Sequence, residues 1–262
     1  MSEVARLAVD LNCDMGESFG AWRMGADAAV MPHVTSVNIA CGYHAGDPAV
    51  MRSTVRLARE HGIAAGAHPG FPDLVGFGRR EMRVTPLEVE GMVLYQVGAL
   101  AALAAAEGVS LSHVKAHGAL YNMAATDRAL ADALAGAIAS IDRRLVFFGL
   151  AGSVMLAAGR DAGLRVAAEG FADRAYLRDG TLAPRSTPGA VIVDEASVVA
   201  RAIRMVRDGV VTTPDGHDVP LEIHTLCVHG DTPGAPALAR ALRSALEGAG
   251  IEVRAVGAGS AA

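Results

Sequence analysis

Residues 36–68 read SVNIACGYHAGDPAVMRSTVRLAREHGIAAGAH, and this stretch decides the fold. Ser36–Cys41 is an apolar run of strand length. Asp47-Pro48 follows, with Asp suited to the N-cap and Pro to the first helical position. The helical pattern ends at Gly62, and a second strand-length run, Ala64–His68, begins at once. Strand, helix and strand in such quick succession make a βα repeat, which implies a parallel sheet.

The same alternation extends in both directions. Further strands are predicted near Leu7–Cys13, His113–Ala116, Leu145–Gly149, Arg165–Gly170 and Ile223–His229, with a weaker eighth candidate at Ile251–Val256. Thr85-Pro-Leu-Glu88 reads as a capping box on a long Ala-rich helix that ends at Gly108. Asp194 and Gly209 bracket another helix. Two hairpin-like insertions carry Asp-Gly pairs, Arg178–Val191 and Thr212–Leu221. No linker or low-complexity tract interrupts the chain, so residues 1–262 are expected to form one α/β domain, a barrel of seven or eight strands. A doubly wound open sheet is the alternative, since strand order is not written in the sequence. Either architecture puts the active site at the C-terminal ends of the strands.

Composition narrows the functional class. The chain of 262 residues is 52% hydrophobic, enough for a core covered on both sides. Its 28 acidic and 23 basic residues give a net charge of −5, with no basic block and one Trp, so nucleic acid is excluded as a partner. The apolar runs are broken before the roughly 18 residues of a membrane span, and the first residues lack a signal-peptide core. A cytoplasmic location is expected. Cys13, Cys41 and Cys227 form no CxxC pair and read as reduced, small core residues rather than nucleophiles.

Alternation along the strands sorts the polar residues onto common faces. Asp10, Asn12 and Asp14 share one face, with Glu17 following in the loop. Ser36 and Asn38 share another, followed by Tyr43, His44 and Asp47. The third strand ends at His68. His113, Lys115 and His117 share a face, with Tyr121 just beyond. The sixth strand delivers Glu169, then Asp173 and Arg174, and the seventh offers Cys227, His229 and Asp231. An apolar barrel gains nothing from carboxylates in its strands, because burying them unpaired is costly. Their recurrence at strand ends marks a site.

Structural readings compete at several of these positions. Asp47 before Pro48 is as good a helix cap as a substrate ligand. Asp10, early in its strand, fits a buried structural carboxylate paired with Lys115. His33, His61, His217 and His224 read as surface or capping residues, and His113 lies at a strand entrance, far from the mouth. Phosphate-loop, dinucleotide and nucleophile-elbow motifs are absent from the sequence. Asp14, His44, His68 and His117, from different strands, are candidate ligands for a divalent metal, although no local spacing such as H-E-x-x-H supports one.

Longer blocks carry a resemblance. They are Asp10-Leu-Asn-Cys-Asp-Met-Gly-Glu17, Asn38-Ile-Ala-Cys-Gly-Tyr-His-Ala-Gly-Asp47, Gly66-Ala-His-Pro-Gly70 with Gly76-Phe-Gly-Arg-Arg80, His117-Gly-Ala-Leu-Tyr-Asn122, Phe171-Ala-Asp-Arg-Ala-Tyr176 with Pro184-Arg185, and Cys227-Val-His-Gly-Asp231. Together they resemble the LamB/YcsF family of bacterial ATP-dependent 5-oxoprolinase A subunits over nearly the whole chain. One departure is visible: Ala116 stands where the family usually has Pro.

The resemblance implies a distorted TIM-like barrel related to the glycoside hydrolase and deacetylase superfamily. It also implies hydrolysis of the lactam of 5-oxo-L-proline to L-glutamate, with ATP as co-substrate and subunits B and C as partners. Asp14, Glu17, His68, Lys115, His117 and Glu169 are then the expected catalytic residues, with Asp14 or Glu17 as general base and His68 or His117 as acid. Lys115 and Arg174 are expected to hold the substrate carboxylate or a developing anion. Asp10, Asn12, Asn38, His44, Asp47, Tyr121, Arg174, His229 and Asp231 are the expected substrate-binding residues. Two rival expectations are a stand-alone metal-dependent amidohydrolase or deacetylase, and a non-catalytic protein that only binds the substrate. Each of these readings is compatible with a homo-oligomer.

Overall fold

Strand β1 (Ala8–Met15) hydrogen-bonds on one edge to β2 (Ser36–Ala40) and on the other to β9 (Thr225–Val228). That double pairing closes the sheet. The computed structural model describes residues 7–228 and 234–257. Between β2 and β9 the ring runs through β3 (Ala64–His68), β4 (His113–Lys115), β5 (Val146–Leu150) and β6 (Arg165–Phe171), every pairing parallel. The architecture is a closed seven-stranded parallel barrel, not an open doubly wound sheet.

The eighth strand candidate does not enter the ring. It shortens to β10 (Glu252–Val253), which pairs with Ala8 and Val9 of β1, while β9 takes the same edge from Asp10 to Cys13. The predicted seventh strand likewise shortens to Thr225–Val228, and its last residue, His229, lies outside the described residues. The two predicted insertions are hairpins: β7 (Val210–Thr212) pairs antiparallel with β8 (Asp218–Pro220), and Tyr176 bridges Leu182 across the Asp179-Gly180 turn.

Helices α2 (Pro48–His61), α3 (Pro86–Ala106), α4 (Gly118–Thr126), α5 (Arg128–Ile141), α6 (Val154–Asp161), α7 (Glu195–Asp208) and α8 (Ala235–Gly248) surround the barrel; α1 (Asp27–Val30) is a single turn before β2. Their ends follow the local chemistry. Asp47 caps α2, and Gly62 closes it in the left-handed region. Thr85 and Glu88 form the reciprocal capping box of α3. This helix, 21 residues long, is apolar and long enough to cross a membrane by length and composition, contrary to the reading of the apolar runs. In the fold it packs Val89, Val93, Val97, Leu100 and Ala104 into the core.

The period-two alternation of β1 sends Val9, Leu11, Cys13 and Met15 outward into the apolar layer under the helices. Asp10, Asn12 and Asp14 face the barrel axis, where polar side chains meet at successive depths.

Candidate active site

The deepest interior layer is built around Asp10. Its carboxylate accepts hydrogen bonds from Thr35 Oγ1 (2.6 Å), Ser36 Oγ (2.7 Å) and Thr225 Oγ1 (2.5 Å). Burial pushes its pKa up to about 6, and the three hydroxyls restrain the rise. Asp10 makes no pair with Lys115 and does not line the cavity, so the substrate-binding reading fails and the buried structural carboxylate reading holds without its lysine partner. It is a structural carboxylate held by hydroxyls.

One step up, Asn38 Nδ2 donates to Asn12 Oδ1 (2.7 Å) and Asp14 Oδ1 (2.8 Å), and Asn12 Nδ2 donates to Glu169 Oε1 (3.0 Å) and Thr225 Oγ1 (2.7 Å). His113 Nε2 lies 2.8 Å from Asn38 Oδ1, and its ring stacks on Phe148. A Cβ at Gly66 would sit 2.2 Å from His113 Nε2, so only glycine leaves room for that ring. Burial pushes the His113 pKa down to about 3. Asn12 and Asn38 therefore support the site from below and do not line it.

Lys115 crosses the barrel and gathers the next layer. Its ammonium lies 2.8 Å from Glu169 Oε1, 2.9 Å from Asp14 Oδ1, 3.1 Å from Cys227 Sγ and 3.3 Å from Asn12 Oδ1. Burial works against its charge, but Asp14, Cys227 and Glu169 outweigh burial and hold Lys115 well above the ordinary lysine range. Tyr121 completes the layer, donating to Glu169 Oε2 at 2.7 Å, and burial followed by Glu169 raises the phenol well above its ordinary value. The expected use of Lys115 as a substrate ligand is revised, because its donors are already taken by two carboxylates. Cys227, read from sequence as plain core, belongs to this array.

The fourth layer is a histidine cluster. His68 ends β3 and His117 stands at the N-cap position of α4, while His44 enters from the loop after β2. His117 Nδ1 lies 3.0 Å from His68 Nε2, and His44 stacks face to face on His117 at 3.7 Å. Asp14 Oδ2 is 3.3 Å from His68 Nε2, and Glu17 Oε1 is 3.8 Å from His117 Nδ1. Burial, then the neighbouring histidines, keeps His44 and His117 well below the ordinary imidazole range. Phe77 presents its carbonyl to His117 Nε2 at 2.8 Å from a positive φ of 54°, an uncommon backbone conformation for a bulky residue. Gly78, also at positive φ, lets that loop close down, since a Cβ there would lie 2.8 Å from His117 Cδ2.

Asp14, Glu17, His68, Lys115, His117 and Tyr121 line one cavity of about 590 Å³. Its outer wall brings Arg79, Arg174 and Arg185 together with Asn122 and Thr181. Arg174 donates to the carbonyls of Ala183 (2.7 Å) and Ala190 (3.3 Å), which fixes the second hairpin strand against the mouth. Burial lowers its pKa to about 10. Arg79 and Arg185 were not among the expected site residues, although each stands in a block quoted above, Gly76–Arg80 and Pro184-Arg185. Glu169, fully buried, touches the site through Lys115 and Tyr121.

Asp47 is not brought to this cavity. Its Oδ1 accepts from the amides of Ala49 (2.8 Å) and Val50 (3.1 Å), and its Oδ2 from Gly20 (2.7 Å), so it is a helix cap. His229 and Asp231 lie outside the described residues.

The model of the LamB/YcsF family matches residues 9–261. This chain belongs to the LamB/YcsF family. As a family member it is 59% identical to the A subunit of 5-oxoprolinase from Bordetella pertussis, over 95% of this chain and 98% of that one. It is 58% identical to the corresponding 5-oxoprolinase chain of Symbiobacterium thermophilum, over 95% of this chain and 96% of that one. Among solved structures, the lactam utilization protein of Thermus thermophilus superposes with a TM-score of 0.90 at 54% identity, over 95% of this chain and 99% of that chain. The LamB/YcsF blocks from Asp10 through Asn122 thus supply Asp14, Glu17, the three histidines and Arg79, and the blocks around the first hairpin supply Arg174 and Arg185.

Proposed function

We propose that this chain is the A subunit of an ATP-dependent 5-oxoprolinase, hydrolysing the lactam of 5-oxo-L-proline to L-glutamate in the cytoplasm together with subunits B and C. The observation that carries this reading is one cavity in which carboxylates, histidines and arginines converge. Kinship with proteins named as the 5-oxoprolinase A chain and as a lactam utilization protein supplies the substrate class.

A five-membered lactam is a resonance-stabilised amide that resists water. ATP would supply activation of the carbonyl oxygen, leaving the ring carbonyl carbon electrophilic. Asp14 is then suited to be the general base: Lys115 and Asn38 fix its Oδ1, while its Oδ2 remains directed toward His68 and the cavity. The Lys115 ammonium bridges Asp14 and Glu169, a positioning role. The proton that Asp14 takes from the attacking water would pass to the ring nitrogen as the C–N bond breaks, directly or through His68 or His117. Arg174, with Arg79 and Arg185 beside it, would hold the substrate carboxylate or a phosphoryl oxygen.

The test is glutamate formation by the purified chain, alone and with B and C, with and without ATP. Turnover is expected only in the complete, ATP-supplied mixture. Turnover by the isolated chain without ATP would favour the reading as a metal-dependent amidohydrolase, whose supporting observation is the Glu17, His44, His68 and His117 cluster.

A further inference from the structure

We propose that His68, His117 and Glu17, where they line the cavity, form a binding site for one divalent transition-metal ion. His68 Nδ1 lies 2.8 Å from the carbonyl oxygen of Lys115. A carbonyl only accepts, so the ring hydrogen of a neutral His68 sits on Nδ1. His117 Nε2 lies 2.8 Å from the carbonyl oxygen of Phe77, which fixes the hydrogen of a neutral His117 on Nε2. The two remaining nitrogens, His68 Nε2 and His117 Nδ1, each present a lone pair, and they face one another at 3.0 Å. Two acceptors at that distance repel unless a cation sits against both.

The surroundings fit a metal cation. Glu17 Oε1 is 3.8 Å from His117 Nδ1, and Asp14 Oδ2 is 3.3 Å from His68 Nε2, so negative charge lies on both sides of the facing lone pairs. Ligand atoms of Glu17, His44, His68 and His117 all fall within 4.8 Å of one another. His44 is fully buried, and neither of its ring nitrogens has a hydrogen-bond partner. It stacks parallel to His117, so its lone pair reaches the same ion only after the ring turns. Each of the two facing imidazoles is also anchored by an N–H to a backbone carbonyl, the outer support that fixes the tautomer of metal-bound histidines. Imidazole with carboxylate selects Zn²⁺, Mn²⁺, Ni²⁺ or Co²⁺ over Mg²⁺ and Ca²⁺.

This inference rests on the geometry and not on the lactam reading, so its test leaves turnover aside. The full, untagged chain is stripped with a chelator and dialysed against Zn²⁺ or Co²⁺, and bound metal is measured by elemental analysis. One equivalent is expected, with a visible Co²⁺ absorption band. His117→Ala and Glu17→Gln should each weaken binding at least about 100-fold, whereas His217→Ala, on the exposed hairpin, should leave it unchanged. Thermal melts of the stripped variants show whether each is folded, and if His117→Ala is not, Glu17→Gln decides. No uptake by the folded parent, which a proton shared between the rings would give, overturns the site. So does uptake that all variants retain.

Discussion

The polar interior of this barrel has a deep half and a mouth half, and they differ in how completely they are satisfied. Around Asp10, three hydroxyls donate into one carboxylate and His113 points a nitrogen at an amide oxygen, so donors and acceptors match. Toward the mouth, a lysine is shared by two carboxylates, two histidine lone pairs face each other, and neither ring nitrogen of His44 has a hydrogen-bond partner. Both halves use Asp, His and Asn, and both are largely buried. A matched network fixes one structure; a mismatched one is held in place by the surrounding fold and is completed by what it binds. Residue type alone therefore does not separate floor from site.

The comparison breaks first at Asp14. In the assembled complex, Asp14→Asn should lower kcat by about 10²–10⁴-fold, the usual size of a lost general base, with little change in melting temperature. Turnover within a few-fold of the parent would move Asp14 to the structural side. Lys115→Met sharpens the same boundary. Because the ammonium is only 3% exposed and bridges Asp14 and Glu169, its loss should cost about 3–5 kcal/mol of stability as well as turnover. Chemical denaturation of the isolated chain measures the first and the complex assay the second. A normal unfolding midpoint would show that the two carboxylates do not need their counter-ion.

The floor is tested by pH. Asp10 has its pKa raised to about 6 in the fold, against an ordinary value of 3.8. Folding therefore takes up a proton between about pH 4 and 6, and the Asp10 contribution to stability falls as pH rises through that window. His113 runs the other way: with its pKa near 3 against 6.5, its contribution is complete above 6.5 and is lost as pH falls toward 3. Asp10→Asn removes only the first. The difference in unfolding free energy between variant and parent should shift in favour of the variant by roughly 2–3 kcal/mol between pH 4 and pH 7. Urea titrations at four pH values check it. A difference that stays flat would mean that burial does not raise the Asp10 pKa and that the three hydroxyls hold it as a carboxylate across the whole range.

Much of this was legible in the sequence, and the limits are physical. The βα rhythm located the seven ring strands, because each strand is a short apolar run between caps and glycines. Alternation correctly put Asp10, Asn12 and Asp14 on one face of β1. It carried no depth, so Asp10, held by Thr35, Ser36 and Thr225, was grouped with cavity residues that it never meets. Glu17 joins the histidines because the chain turns sharply after β1, and a loop direction has no periodicity to read. Arg79 and Arg185 reach the cavity from loops for the same reason. The closure of the ring depends on which strand pairs with β1, a long-range choice no local pattern encodes.

The smallest predicted effect concerns Asp47, which its position before Pro48 left between helix cap and substrate ligand. All three of its hydrogen bonds are from backbone amides, Ala49 and Val50 inside α2 and Gly20 from the loop after β1. The α2 amides are among those that a helix N-terminus leaves without partners, so the carboxylate satisfies groups that would otherwise turn to water. Asp47→Ala should then cost about 1 kcal/mol, the usual value of a lost N-cap. Asp47→Asn should recover most of that, since asparagine caps about as well as aspartate. Neither change should alter the KM for oxoproline in the assembled complex, because the side chain lies outside the cavity that Asp14 and His68 line. The two variants separate the alternatives cleanly. A cap is rescued by asparagine and is read in the melting temperature; an anionic ligand contact is not rescued and is read in KM. A raised KM in Asp47→Asn at unchanged melting temperature would return Asp47 to the mouth and redraw the boundary between the two halves.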